Sequence, residues 1–337
     1  MLHASPQQAT TLNRRFCVAP MMDWTDKHCR MFHRTLSKNS VLYSEMVTSG
    51  ALIFGDKKRH LAYNEGEHPV ALQLGGSDPA DLAKCARLAQ EYGYDEVNLN
   101  VGCPSDRVQN NMIGACLMEY PEKVRDCMSA MLDAVTIPVT IKHRLGIDEL
   151  DNDEHLHHFV DTVTTSGCTT FIVHARKAIL QGLSPKENRD VPPLQYDRVY
   201  KLKKAFPELE IIINGGIKTL EESQTHLQHI DGVMMGREAY QNPYILAEVD
   251  SLLYGIDQPI INRVEAVEAY LTYIEEQLRQ DVYLNHISRH SLGIFHGMPG
   301  GKQFRRLISE QAHKRGAGIE VIQQALSKIN EFSSFTK

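Results

Sequence analysis

The sequence contains no long apolar run. None of its hydrophobic segments approaches the roughly 20 residues that a helix needs to cross a bilayer. The polar stretch before Arg14 and Arg15 does not resemble a signal peptide. Neither a membrane protein nor a secreted one is expected, and we predict a soluble, cytoplasmic protein.

Paired cysteines are missing as well. The seven cysteines form an odd set scattered from Cys17 to Cys168, and no two of them stand at Cys-x-x-Cys spacing. Disulfide frameworks and zinc ribbons depend on such pairs. The pattern argues against both kinds of scaffold and predicts reduced thiols.

Several nucleotide and metal motifs are absent. There is no Gly-x-Gly-x-x-Gly, no Walker-type phosphate loop and no His-Glu-x-x-His, so neither a Rossmann dinucleotide site nor a zinc protease is supported. The segment 155–158, rich in histidine, follows the acidic Asp151, Asp153 and Glu154. Because acidic side chains favour the first turn of a helix, we interpret this segment as a helix start and predict no metal site.

Positive charge is scarce over most of the chain but concentrated in one window. The net charge is −6, yet residues 285–315 carry six basic side chains against Glu310 alone, a local +5 that leaves −11 for the remainder. A basic window on an acidic body fits a phosphate-rich partner. An ordinary solvated helix face is the alternative.

What the chain does contain is a β/α repeat. Its composition, 42% hydrophobic and 23% charged, is ordinary for a globular protein. Eight short apolar runs each precede a polar or helical stretch, which is typical of a parallel sheet buried on both faces. The runs are 16–21, 41–47, 69–75, 97–102, 138–142, 171–175, 211–216 and 232–236. They predict an α/β fold with a closed (β/α)8 TIM barrel.

The 337 residues exceed the roughly 250 of one such barrel. After residue 243 the strand pattern stops, and the sequence predicts only helices, at 245–253, 264–278, 287–295, 304–312 and 319–329. We therefore predict a barrel domain over 1–245 and an all-α domain over 246–337. Within the barrel, Asp78, Pro121 and Thr219 mark predicted helix starts.

Cys103 stands where a buried strand ends. Polar Asn98 and Asn100 alternate with apolar neighbours, and the strand stops at Gly102-Cys103-Pro104. Since the carboxyl ends of barrel strands carry the reactive groups, this turn is expected to place a thiol at the mouth of the barrel. A buried packing role, common for cysteine, is the alternative.

Other strand ends carry polar, cationic or glycine residues. Gly215-Gly216 and Gly236-Arg237 follow the last two strands, where such barrels bind phosphate. Lys142 and His174 end adjacent strands, and Gln73 offers an amide to a heterocycle edge. Each residue alone would more often serve structure, but together the set suits flavin mononucleotide, FMN.

These motifs together resemble those of the flavin-dependent tRNA-dihydrouridine synthases, and of their bacterial DusA subfamily in particular. The resemblance is carried by residues 19–26, 73–75, 98–105, 142–144, 174–176, 214–216 and 236–238, and in the C-terminal part by 289–293 and 300–306. It covers nearly the whole chain. It implies an FMN-bearing barrel, a helical tRNA-binding domain, and NADPH as the reductant of the flavin.

The resemblance also implies roles for individual residues. Cys103 would deliver a proton to C5 of a D-loop uridine, at position 20 or 20a, while the flavin gives hydride to C6. The positions that match flavin contacts are Pro20, Met21, Met22, Gln73, Lys142, His174, Asn214, Gly215, Gly216, Gly236 and Arg237. Those that match tRNA contacts are Asn100, Lys186, Arg189, Lys302 and Arg305. Nothing in the sequence indicates an obligate protein partner.

One short segment departs from the subfamily pattern. Asn111 and Ile113 stand where a Gly and a Phe are usual. Asn tolerates a left-handed backbone better than other non-glycine residues, so we expect the loop to keep its form.

Two alternatives remain open. An FMN barrel acting on a free pyrimidine would explain the cofactor residues and the thiol, but not the helical region with its basic window. A non-catalytic RNA-binding protein would explain the basic window, and a colourless purified protein would favour it.

Overall fold

A closed barrel of eight parallel strands forms the body of the protein. The computed structural model describes residues 12–105 and 112–334. Each strand pairs with the next, and β8 closes the barrel on β1. The strands are β1 (Phe16–Val18), β2 (Val41–Thr48), β3 (Val70–Gly75), β4 (Glu96–Val101), β5 (Val139–Arg144), β6 (Thr170–His174), β7 (Glu210–Asn214) and β8 (Gly232–Met235). The predicted α/β barrel is confirmed, and every strand overlaps its predicted run.

Two apolar layers explain why these runs form strands. A small cluster fills part of the barrel interior and consists of Cys17, Ala19, Val41, Tyr43, Ala71, Ile172, Ile212 and Met234. The outward faces of the strands belong to a larger cluster shared with the helices, which includes Phe16, Leu72, Val97 and Phe171. Strands buried on both faces need nearly continuous apolar runs, and this is the pattern in the sequence.

Helices alternate with the strands around the barrel. They are α1 (Lys27–Leu36), α2 (Ser49–Phe54), α3 (Lys57–His60), α4 (Pro79–Glu91), α5 (Pro121–Leu132), α6 (Asp153–Thr164), α7 (Tyr196–Ala205) and α8 (Leu220–His226), with 3-10 turns at Glu65–Glu67, Ala115–Glu119 and Glu187–Arg189. The predicted starts are confirmed. The Asp78 side chain accepts a hydrogen bond from the Asp81 N–H, and Thr219 forms a capping box with Glu222. The predicted helix start before His155 is confirmed by α6.

Only helices follow β8 in the described residues. They are α9 (Arg237–Gln241), α10 (Val249–Leu252), α11 (Arg263–Arg279), α12 (Leu284–Ser288), α13 (Gly301–Gln311) and α14 (Glu320–Ser334), with 3-10 turns at Pro243–Glu248 and Arg289–Ser291. The helix predicted over 287–295 is shorter and ends in turns. The backbone there approaches α9 so closely that a Cβ at Gly293 would lie 2.3 Å from the Gln241 carbonyl oxygen.

The helical region packs directly on the barrel. The Tyr270 hydroxyl on α11 donates to the His28 carbonyl oxygen on α1 at 2.8 Å, and Arg289 forms an ion pair with Asp26 at 2.7 Å. One apolar cluster includes both Phe32 of α1 and Tyr270. The division into two domains at residue 245 stays a prediction.

Two features are absent from the described ranges, 12–105 and 112–334. No helix there combines the length and apolar character needed to span a membrane. No group of three or more His, Cys, Asp or Glu side chains there is arranged to hold a metal ion.

Candidate active site

The turn that carries Cys103 is fixed from two sides. Strand β4 ends at Val101, and the Asn100 side-chain oxygen accepts hydrogen bonds from the N–H groups of Gly102, at 3.1 Å, and Cys103, at 2.9 Å. The Cys103 carbonyl oxygen accepts from the Ala115 N–H at 2.8 Å. Gly114, with φ +87°, lies so near that a Cβ would come within 2.3 Å of that oxygen. The backbone of this turn therefore has little freedom.

The Cys103 thiol differs in exposure from most of the other cysteines. Only Cys103 and Cys116 are partly exposed, and the remaining five thiols are buried. Burial raises the pKa of Cys127 and of Cys168 to about 12, which makes those two thiols inert packing groups. A packing role for Cys103 is not supported by its partial exposure.

Lys142 and His174 lie on the neighbouring strands β5 and β6, as predicted. Lys142 is partly buried as a residue, and within the described residues its ammonium group has no hydrogen bond or ion pair. Burial, together with the positive charge of Arg144, lowers the pKa of Lys142 to about 7. Burial and the same cationic surroundings lower the pKa of His174 well below its usual value. The site thus offers a neutral imidazole and an unpartnered amine that is easily deprotonated.

Gln73 lies inside the barrel with half of its amide in use. Its nitrogen donates to the Asn98 side-chain oxygen at 2.8 Å, and its oxygen accepts from the Asn100 side-chain nitrogen at 2.8 Å. A primary amide has two N–H groups and two oxygen lone pairs. One donor and one acceptor therefore remain for a heterocycle edge.

At the glycine pair after β7 the backbone passes close to neighbouring side chains. Gly215 has φ +122° and Gly216 has φ +70°, conformations that favour glycine. A Cβ at Gly215 would lie 2.8 Å from Cδ2 of His174. The Tyr196 hydroxyl donates to the Gly215 carbonyl oxygen at 2.6 Å, and Asn214 donates its side-chain N–H to the Met234 carbonyl oxygen at 2.8 Å.

Two arginines lie near this glycine pair. Arg237, which follows β8 and Gly236, forms an ion pair with Asp190 at 2.7 Å. Arg176, which follows β6, is buried; it donates through Nη1 to the Pro192 carbonyl oxygen, while its Nε is buried without a partner. A buried donor without an acceptor is costly in a protein alone. It fits an anion that would accept from it.

The residues after β1 lie at the same end of the barrel. Pro20 and Met21 are partly exposed, and the side chain of Met22 is 57% exposed. The backbone turns back at Thr25, whose side-chain oxygen accepts from the Met21 N–H at 2.9 Å. This leaves apolar side chains facing solvent beside the barrel mouth.

Arg144 links the Cys103 turn to the loop after β6. Its Nε donates to the Gly102 carbonyl oxygen at 2.8 Å, and Nη1 donates to the carbonyl oxygens of Lys177 and Asn188, both at 3.0 Å. Arg144 is buried, and burial lowers its pKa to about 10. The linked loop carries Lys186 and Arg189, both exposed.

Lys302 and Arg305 lie on α13, in the helical region. Both are exposed, whereas Phe304 and Ile308 on the same helix are buried. No hydrogen bond or ion pair between described side chains joins them to the barrel mouth. The structure therefore brings Cys103 within electrostatic range of Lys142, whereas Lys302 and Arg305 lie on the solvent-facing side of α13.

Sequence reasoning missed one residue that supports the site and one buried carboxylate inside the barrel. Tyr196 supports the glycine pair, and nothing in its local sequence marks it. Glu96 is fully buried at the start of β4; a carboxylate opening an otherwise apolar strand was a signal that could have been noticed. The loop predicted at Asn111 lies outside the described residues, while Ile113 beside it is buried.

Comparison with known proteins agrees with this geometry. The family described as "Dihydrouridine synthase (Dus)" matches residues 17–330. The chain is 59% identical over 329 residues to the tRNA-dihydrouridine(20/20a) synthase of Shewanella oneidensis, covering 98% of each chain. It is 61% identical over 318 residues to the protein of that name from Yersinia pestis, covering 94% of this chain and 92% of the relative. The Escherichia coli K12 protein of that name is 61% identical over 316 residues, covering 94% of this chain and 91% of the relative.

The matched range begins at the second residue of β1 and ends in α14, so it includes the barrel, the Cys103 turn and the helical region. At these levels of identity and coverage the relationship extends over the whole fold. The chain belongs to the dihydrouridine synthase family, and it is an oxidoreductase.

Proposed function

We propose that this protein reduces the C5–C6 double bond of uridines in the D-loop of tRNA, at positions 20 and 20a, with FMN as cofactor and NADPH as reductant. The substrate follows from the names of relatives about 60% identical to it. The observation that carries the chemistry is the partly exposed Cys103 thiol, held on a braced turn at the barrel mouth. Because the substrate is tRNA and all seven thiols are free, we expect the reaction to take place in the cytoplasm.

The predicted cofactor residues fit a flavin by their chemistry. Lys142 supplies an unpartnered donor, and Gln73 supplies the remaining amide N–H for the heterocycle. The close backbone at Gly215 and Gly216 and the orphaned Nε of Arg176 fit the phosphate. Arg237 would have to share or exchange its Asp190 partner to reach that phosphate.

These residues would hold FMN, which, when bound and reduced by NADPH, would supply the hydride for C6 of the uracil. Cys103 acts as the general acid: its S–H bond breaks as a new C–H bond forms at C5. The thiolate left behind lies in the positive field of Lys142 and Arg144, since both interact electrostatically with Cys103. It then takes up a proton from solvent, which restores the thiol.

The tRNA contacts involve two surfaces. Asn100 keeps one side-chain N–H for the uridine, since its other N–H donates to Gln73 and its oxygen is used by the turn. Lys186 and Arg189 are exposed on the loop that Arg144 links to that turn. Lys302 and Arg305 on α13 would hold phosphates further along the tRNA. Turning a stacked uridine out of the D-loop costs a few kcal/mol, and these ionic contacts offset that cost.

The first test compares Cys103→Ala with a matched control, Cys116→Ala, the other partly exposed cysteine. We expect Cys103→Ala to keep its fold and its yellow flavin spectrum but to lose about 10²- to 10⁴-fold in turnover on tRNA, the usual contribution of a general acid. Cys116→Ala should keep wild-type turnover. Normal dihydrouridine formation by Cys103→Ala would refute the assignment.

The second test identifies the substrate. Dihydrouridine is mapped in tRNA from cells with and without this protein, and we expect loss at positions 20 and 20a only. Activity on free uracil or orotate with intact tRNA modification would favour the pyrimidine alternative. A colourless protein that binds tRNA without turnover would favour the non-catalytic one.

A further inference from the structure

A buried carboxylate lies at the amino end of the barrel interior, opposite the mouth. Glu96, the first residue of β4, is fully buried. It accepts hydrogen bonds from Arg14 Nε at 2.6 Å, from the Tyr43 hydroxyl at 2.5 Å and from the Thr140 hydroxyl at 2.6 Å. A carboxylate beside a guanidinium only accepts hydrogen bonds. The single hydroxyl proton of Thr140 is therefore committed to Glu96.

From Thr140 a chain of side-chain hydrogen bonds leads to the active site. The Thr140 oxygen accepts from the Asn98 side-chain nitrogen at 2.8 Å, and the Asn98 oxygen accepts from the Gln73 nitrogen at 2.8 Å. The Gln73 oxygen accepts from the Asn100 nitrogen at 2.8 Å. The Asn100 oxygen accepts from the Cys103 N–H at 2.9 Å. We call Glu96, Thr140, Asn98, Gln73 and Asn100 the polar column.

The polar column has one possible direction. At one end Glu96 cannot donate, and at the other end the backbone N–H groups of Gly102 and Cys103 cannot accept. Each amide between them must therefore present its nitrogen toward Glu96 and its oxygen toward the turn. Only this arrangement satisfies both ends of the column. Turning one amide over would set donor against donor and acceptor against acceptor.

Strand register builds the polar column. Gln73 on β3 stands opposite Asn98 on β4, and Asn98 stands opposite Thr140 on β5. All members are at most 9% exposed. A barrel interior packed with aliphatic side chains would be at least as stable as one with buried polar groups. The stability of the fold therefore does not explain why the column is present. What the column provides is a fixed orientation of the Gln73 and Asn100 side chains.

We propose that Glu96, Thr140 and Asn98 are positioning residues for the reaction. Through the polar column they fix which atoms Gln73 presents to the cofactor and keep the Asn100 oxygen on the Cys103 turn. None of the three need touch flavin or tRNA. The inference rests on the proposed function for its effect on catalysis, but the ordering of the Cys103 turn is independent of it.

The test breaks the column at its most conservative point. Thr140→Val keeps the shape of the side chain but removes the acceptor for Asn98, so the buried Asn98 nitrogen loses its partner and the amides lose their anchor at the Glu96 end of the column. Thr140→Ser restores the hydroxyl. The matched control is Thr170→Val on β6: Thr170 is also buried and donates to a carboxylate, Glu210, at 2.8 Å, but it makes no direct hydrogen bond to the polar column and reaches Glu96 only through Arg14, which bridges the two carboxylates.

Three measurements are made on each holoenzyme: FMN affinity, steady-state kinetics that give kcat and KM for tRNA, and hydrogen exchange of the backbone N–H groups at residues 102 and 103. We expect Thr140→Val to lose about tenfold in FMN affinity and in kcat, with KM for tRNA unchanged, since one buried hydrogen-bond partner is removed. Its exchange at 102 and 103 should be faster. Thr140→Ser and Thr170→Val should match the wild type in all three.

Wild-type values for Thr140→Val, no rescue by serine, or equal losses in Thr170→Val would each overturn the proposal. A wild-type protein without flavin or dihydrouridine activity would instead refute the proposed function. In that case the exchange comparison still decides whether the polar column orders the Cys103 turn.

Discussion

Lys142 is a single residue that lowers the stability of the folded protein and whose proposed function explains its presence. Its ammonium group lies in the barrel mouth beside the guanidinium of Arg144, with no carboxylate bonded to it among the described residues. Burial and this positive neighbour lower its pKa to about 7, far below its usual value. A folded protein that keeps such a group is less stable than it would be with an apolar side chain there.

We predict that Lys142→Met stabilises the flavin-free protein at pH 6. There the lysine is charged in both the folded and the unfolded state, and only the folded state bears the cost of burying it. As the pH rises from about 7 toward 10.5, the folded lysine is neutral while the unfolded one still binds a proton, so wild-type stability rises and the difference shrinks.

Urea unfolding of both flavin-free proteins at pH 6, 8 and 10 measures this difference. A constant difference at all three values would show that the charge of Lys142 is not responsible. The same variant should bind FMN more weakly, because the heterocycle loses its unpartnered donor.

Gly114 is the second position where one residue controls the site. Its φ of +87° is strained for other residues, and an added Cβ would lie 2.3 Å from the Cys103 carbonyl oxygen, a backbone atom that cannot move aside. We predict that Gly114→Ala displaces the Cys103 turn and lowers turnover at least tenfold. Gly182→Ala, also at positive φ but with open space around its Cβ position, is the control, since it tests backbone strain alone. Equal turnover in the two variants would contradict the prediction.

At the scale of elements, strand alternation decides which predicted residues reach the site. Lys142, His143 and Arg144 are consecutive on β5, and sequence reasoning placed all three at the strand end. The His143 ring packs against Phe159 and Phe171, with ring centroids 5.1 and 5.9 Å away. It therefore faces the helix layer, while its two neighbours interact electrostatically with Cys103.

On helix α13 the periodicity of the helix likewise decides which side chains are buried and which face solvent. Phe304 and Ile308 bury one side of it, so Lys302 and Arg305 face solvent. Arg306 beside them is already paired with Glu310 at 2.7 Å. The free positive charge of this helix is therefore concentrated on Lys302 and Arg305.

We predict that Lys302→Ala/Arg305→Ala weakens tRNA binding and reduces the dependence of log affinity on log salt by about 1.5 to 2, as two phosphate contacts are lost. FMN binding should be unchanged. The control, Lys84→Ala/Arg87→Ala, removes two exposed cations from α4 and makes the same change in net charge. If both double variants weaken binding equally, the effect is one of overall charge, and the tRNA assignment of α13 fails.

At the scale of the whole molecule, α1 joins the barrel to the helical region. Burial lowers the pKa of His28 to about 4 and that of His33 to about 3, so both stay neutral in the folded protein. His28 Nδ1 lies 2.7 Å from the Tyr273 hydroxyl on α11. Burial alone would raise the pKa of the adjacent Asp26, but His290, the Cys29 N–H and Arg289 lower it well below its usual value.

We predict that stability falls as the pH drops from 6.5 to 4, in part through these two histidines. The unfolded chain binds protons on them near pH 6.5, whereas the folded protein does not until much lower pH, so the unfolded state binds more protons throughout this window. Each contributes about 1.4 kcal/mol per pH unit there.

The check is the pH dependence of the free energy of unfolding between pH 4.5 and 6.5. His33→Asn should reduce the slope by the equivalent of about one proton, whereas His158→Asn, which alters an exposed histidine on α6, should leave it unchanged. An unaltered slope in His33→Asn would mean that His33 titrates alike in both states.

The amino-acid sequence by itself determined the eight strands, most helices and the position of Cys103. Apolar runs, helix caps such as Asp78 and Thr219, and the Gly102-Cys103-Pro104 turn act over a few residues, so their signals are local and can be recognised without the fold. The family motifs extended this to Gln73, Lys142 and His174 as candidates at the barrel mouth.

Only the tertiary structure decided which partner each of these side chains has. The polar column needs β3, β4 and β5 in one register, the Arg237–Asp190 ion pair needs the loop after β6 folded back to β8, and Arg144 spans from β4 to that loop. Such contacts join residues 25 to 50 or so positions apart. These contacts form only when the barrel closes, because hydrogen bonds between side chains depend on distances that exist only once the strands are paired. No local sequence pattern therefore predicts them.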